Sequence, residues 1–185
     1  MTTKLQQTLQ HIDLANASDP TNGTEILYSQ RMLETLQAFE PDASDPLTLA
    51  CYAQHVCRWK LARKDYPTGL TGYLTWRTDL AKLHAKILVN AMQEGGYDKV
   101  DIERANSIIQ KKRLKTDPES QTLEDVSCLV FLNHYFDAFA KKHSEERIID
   151  IVQKTWEKMS DKGHQAALAL TFPLHLKELV GKALA

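Results

Sequence analysis

Two imidazoles and a carboxylate, His55, His84 and Asp125, stand in stretches that otherwise read as buried helix. Around them lie Arg58 and Trp59 in CYAQHVCRWKLARKDYP, Tyr73 and Arg77 in GYLTWRTDLAKLHAKI, and Glu124 in TLEDVSCLVFL. Neutral imidazoles and a carboxylate suit a divalent transition metal, which acidifies a bound water toward neutral pH. Guanidinium forks suit the non-bridging oxygens of a phosphate. The residue types therefore predict a pocket for metal-assisted hydrolysis of a phosphate ester or anhydride. In it His55, His84 and Asp125 are the metal ligands, Glu124 is the general base, and Arg58, Arg77, Tyr73 and Lys112 hold the substrate. The expected cofactor is a divalent metal (Mn, Mg, Fe or Zn), and the expected substrate is a small phosphorylated metabolite or nucleotide.

A plainer role stands beside each assignment. An inward histidine also serves as a hydrogen-bonded core residue, and Arg77 with Asp125 or Glu124 would make an interhelix ion pair. Thr122 to Asp125 matches a capping pattern, in which Asp125 only completes a helix start. Lys111-Lys112-Arg113 reads equally as a solvated helix end complementing the dipole. Lys158-Met159-Ser160-Asp161-Lys162 is similar to the KMSKS loop of class I aminoacyl-tRNA synthetases, but the chain lacks their strand pattern and HIGH-type sequence.

The elements that must position these residues read as helices throughout. Capping and turn residues delimit segments from Thr3 to Ala17, Glu25 to Phe39, Asp45 to Lys64, Leu70 to Gln93 and Val100 to Arg113. Asp117-Pro118 starts a sixth segment reaching Lys142, Ser144 starts a seventh, and Gly163 and Pro173 divide the remainder. At 100° per residue, Tyr73, Arg77, Leu80, His84, Ile87 and Ala91 share one stripe of the fourth helix, which is expected to point toward the core. On the third, His55 shares a face with Cys51, Tyr52, Trp59 and Ala62. The fold class expected is all-α, a single compact multi-helix bundle over residues 1–185.

Composition excludes more than it assigns. Lys and Arg number 23 against 24 Asp and Glu, so no global field recruits nucleic acid or an acidic membrane. Three cysteines without CxxC spacing fit reduced, packed thiols. The start, MTTKLQQTLQHIDL, has no apolar signal block, and no run has the ~18 apolar residues of a membrane span. The expectation is a soluble cytoplasmic protein. Periodicity does not separate an exposed apolar helix from a core helix, so the pattern also admits a homodimer.

The stretches IDLANASDP, YSQRM, AQHVCRW, KDYP, GYLTWRTDL, LHA, QTLEDVSCLVFL and KTWEKMS resemble domain-of-unknown-function family 4202 over nearly the whole chain. More remotely, the order His, His, Asp resembles the HD-domain metal-dependent phosphohydrolases. That resemblance implies an HD-domain-like helical bundle, with the first His on His55, the His of the HD pair on His84 and the later Asp on Asp125. Position 85 is Ala where an HD pair has Asp. This leaves a two-His, one-carboxylate set, or a non-catalytic pocket for a small anionic ligand. Two His and one carboxylate with open positions also suit non-haem iron.

Overall fold

Hydroxyl and carboxylate side chains set where the helices begin. Ser44, Asp98, Ser144 and Ser160 each precede a helix and accept the backbone N–H three residues on. Thr3 and Gln6 form a reciprocal capping box. The structure, a computed structural model, describes residues 3–185 and is all-α, with no strand among them. The helices are α1 Lys4–Asn16, α2 Thr24–Phe39, α3 Asp45–Tyr52, α4 Gly69–Glu94, α5 Lys99–Ile109, α6 Pro118–Val130, α7 Phe136–Ala140, α8 Glu145–Trp156, α9 Asp161–Leu168 and α10 Leu174–Leu184. None is long and apolar enough to cross a membrane.

The chain forms two compact units, Met1–Leu123 and Glu124–Ala185. In the first, α3 is the central element. Every residue from Pro46 to Tyr52 is buried, and the helix packs against α1, α2 and α5. Helix α4 packs against α1 and α5, and Ile12, Met32, Leu36, Leu49, Leu88 and Ile108 fill the space between them. In the second unit α8 packs on α10 and α7, burying Ile148, Val152 and Leu176. All three cysteines are buried, and none forms a disulfide.

The third helix departs from the expectation most. It stops at Tyr52 rather than continuing to Lys64, and two single 3₁₀ turns, Arg58–Lys60 and Arg63–Asp65, follow. Cys57 takes a left-handed conformation with φ 54°, and its N–H donates to Asn16 Oδ1 at 2.8 Å. A non-glycine residue in that region costs about 1–2 kcal/mol. Here a buried side chain of α1 supplies the compensating bond. Two smaller differences accompany it. Helix α5 ends at Ile109, with Lys111 left-handed at φ 53°. The expected sixth helix passes through a π-helical turn, Phe131–Tyr135, before α7.

An ion-pair network anchors the N-terminus of α6. Arg104 Nη2 donates to Asp117 Oδ1 at 2.7 Å, and Arg104 Nε donates to Glu119 Oε2 at 2.6 Å. Asp117 also accepts the N–H groups of Glu119 and Ser120. The Arg104 bond, against the cost of burial, holds the Asp117 carboxyl down to about 2. A depressed carboxyl stabilises the fold above its unfolded value, and that contribution is lost as pH falls through the folded value. Asp117→Asn should lower the unfolding free energy by roughly 2 kcal/mol at pH 7. Urea titrations repeated down to pH 2 should find the difference shrinking below pH 4.

Candidate functional site

The left-handed turn at Cys57 decides where the next residues go. Arg58 follows it directly, and His55 precedes it in the same irregular segment. Both face a cavity of about 340 Å³ within the first unit. Helix α4 contributes Leu74, Arg77 and His84, and the segment after α5 contributes Lys111 and Lys112. Of the eight site residues expected from sequence, His55, His84, Arg58, Arg77 and Lys112 line this one cavity. Lys82, Lys111 and Gln54 also line it. None of the lining residues is a carboxylate.

Electrostatically the cavity is positive. It holds two guanidinium and three ammonium groups, and neither Arg58 nor Arg77 makes an ion pair among the described residues. The Arg58 guanidinium lies 4.7 Å from the Trp76 ring centroid, and Trp76 Nε1 donates to the Leu61 carbonyl at 2.8 Å. Burial, then the neighbouring Arg77, lowers the Arg58 pKa from the ordinary guanidinium range.

The two histidines are neutral for the same reasons. Burial, followed by Arg58 and Arg77, lowers His84 to about 3. Burial, followed by Arg58, His84, Arg77 and Lys111, holds His55 well below the usual imidazole range. Their ring centroids are 6.3 Å apart. His55 is stacked on Tyr28 at 3.6 Å, with Nδ1 3.5 Å from the Glu25 carboxylate and Nε2 3.5 Å from Arg58 Nη1. A carboxylate at Nδ1 and a guanidinium at Nε2 place the ring proton on Nδ1. His84 differs, because its Nε2 is buried without a hydrogen-bond partner. Such an orphan costs about 1–3 kcal/mol unless something bonds to it.

Three expectations are corrected by position. Arg77 and Tyr73 do not point into the core, because the buried stripe of α4 runs through Gly72, Trp76, Leu80, His84 and Leu88. Both lie exposed one step round the helix, Arg77 at the cavity rim and Tyr73 outside the lining. His55 does not share a helical face with Trp59 and Ala62, since all three lie beyond the end of α3. Asp125 is not an N-terminal cap of its own helix, which starts at Pro118.

Glu124 and Asp125 are buried on α6 and belong to the second unit. Asp125 there accepts Ser160 N–H at 2.8 Å and Ser160 Oγ–H at 2.5 Å, fixing the start of α9. A Cβ on Gly163 would sit 2.6 Å from Asp125 Oδ1, so any larger residue there would displace the carboxylate. The KMSKS-like stretch is simply the turn into α9, with Ser160 as its cap. A larger cavity of about 510 Å³ in the second unit is lined mainly by apolar residues around Trp156 and Phe172.

Within the first unit these residues fit an anion better than a divalent cation. His84 Nε2 is a suitable donor, but both His55 nitrogens face charged groups and five cations share the cavity. Among the described residues, no group of three or more His, Cys, Asp or Glu side chains is arranged to hold a metal ion.

One family profile, described as domain of unknown function (DUF4202), matches residues 6–180. No curated protein and no solved structure matches the chain.

Sequence reading missed Glu25. Burial raises its carboxyl to about 7, with Arg58 opposing and Asp19 reinforcing the shift. A raised carboxyl favours the fold fully below its unfolded value and loses that contribution as pH rises through the folded one. Glu25→Gln mimics the protonated form. It should therefore be more stable than wild type at pH 8, by roughly 2 to 3 kcal/mol, with the gain vanishing by pH 4. Denaturant titrations at the two pH values measure both differences.

Proposed function

The chain belongs to the DUF4202 family, and we propose that it binds a small phosphorylated molecule in the basic cavity of its first unit. One observation carries this reading. Arg58 and Arg77 line a half-enclosed, carboxylate-free cavity without ion-pair partners, and their charge calls for an anion. Charge-assisted bonds from guanidinium to phosphate oxygens are short and directional, and arginine gives up its hydration more readily than lysine. Lys112, at the same cavity, adds an ammonium group suited to a further phosphate oxygen. Neutral His84 supplies a buried nitrogen that needs a bonding partner.

A second reading keeps this ligand and adds turnover, as a metal-dependent phosphohydrolase with an HD-domain-like bundle. The orphaned His84 Nε2 beside His55 favours it. In that case the two imidazoles would hold a divalent metal, which supplies Lewis acidity toward the phosphate. Glu25, behind His55 with a carboxyl poised near neutrality, would orient that ring. The non-catalytic reading instead predicts stabilisation by ligand without release of phosphate.

Calorimetric titration with inorganic phosphate tests the first reading. Wild type should bind saturably, and Arg77→Ala should weaken binding by about ten- to a hundredfold. Arg77 is exposed, so the substitution leaves the fold intact. Absence of binding, or an unchanged affinity in both Arg77→Ala and Arg58→Ala, would overturn it. For turnover, metal analysis of protein purified without a histidine tag precedes a phosphatase panel with added manganese. Phosphate release that is lost in His84→Ala supports hydrolysis, and release that survives the substitution contradicts it.

A further inference from the structure

Beside the basic cavity, the first turns of α4 expose three large apolar side chains. Leu70 is 73% exposed, Tyr73 42% and Leu74 54%. At positions i, i+3 and i+4 they share one face of the helix. Arg77, one turn further on, continues that face to the cavity rim, and Leu74 itself lines the cavity. The shelf and the cation site are therefore continuous.

Single exposed leucines are ordinary on a protein surface, whereas a contiguous apolar patch running into a charged cavity is the anatomy of a ligand site. The aromatic groups give the patch a chemical preference. Tyr73 lies 5.9 Å from Trp76 at 49°, and Trp76 carries the Arg58 guanidinium on its face. A series of π surfaces thus leads from the cation that would grip phosphate out to Tyr73. We infer that the phosphorylated ligand carries a flat aromatic group, which lies on Leu70, Tyr73 and Leu74 while its phosphate enters the cavity at Arg77. This inference rests on the phosphate-binding reading above. An alkyl chain would cover the two leucines but make no use of the Tyr73 face, and a bare sugar phosphate would leave the whole shelf in water.

Calorimetric titrations at pH 8 with inorganic phosphate, 1-naphthyl phosphate and hexyl phosphate distinguish these ligands. Naphthyl phosphate should bind about tenfold or more tightly than inorganic phosphate, and more tightly than hexyl phosphate. Tyr73→Ala and Leu74→Asp, both at exposed positions, should each bring naphthyl phosphate to within about twofold of inorganic phosphate. The inference is overturned if naphthyl phosphate shows no advantage, if hexyl phosphate binds most tightly, or if the advantage survives both substitutions. If neither inorganic phosphate nor either ester binds, the phosphate-binding reading itself fails and the inference with it.

Discussion

The hydrogen bond from Cys57 N–H to the buried Asn16 side chain organises the first unit. It holds Cys57 in a left-handed conformation, ends regular structure after α3 and turns Arg58 toward α4. Cys57 Sγ–H also donates to the Ala15 carbonyl at 3.1 Å, so the end of α1 clasps the turn from two sides. Without that clasp, YAQHVCRWKLA has no proline or glycine to stop a helix. The cavity depends on a local irregularity imposed from 41 residues away.

Charge follows from that geometry. Burial, reinforced by Arg58 and Arg77, suppresses protonation of both histidines, so the imidazoles add no further positive charge. Glu25, behind His55, acts on the Arg58 charge from that side, and its own burial favours the protonated form. The result is a cavity in which two arginines without ion pairs stand beside neutral imidazoles. Such preorganised donors serve an anion without reorganising when it arrives. They also oppose a divalent cation, which is why phosphate binding and metal-dependent turnover stand as separate readings.

Much of the fold was legible from local chemistry. Caps and turn formers located α1, α2, α4 and the starts of α3, α5 and α6 to within a residue or two, because those signals act over three or four residues. The break after Tyr52 was not legible, since its cause is a side chain on another helix. The residue types of the site were legible for His55, His84, Arg58, Arg77 and Lys112, which stood out as polar groups in apolar or basic runs. Helical phase misplaced Arg77 and Tyr73 because Trp76 and Gly72, one step round, take the buried face. Gly72 is required there, for a Cβ would lie 1.9 Å from the Pro67 carbonyl oxygen. Glu25 gave no signal, since an acid in the first turn of α2 reads as a partner of the helix dipole. Asp125, singled out by its type as a metal ligand, fastens the start of α9 within its own unit.

The central claim is that an anion is taken up against His84 and the two arginines, and histidine ring NMR tests it most directly. With ¹⁵N-labelled histidine, adding inorganic phosphate at constant ionic strength should shift the His84 and His55 ring signals saturably. Those of His143 and His175, both exposed in the second unit, should stay in place. Ring signals of His84 and His55 that do not move, or that move only together with every other histidine, would contradict the account.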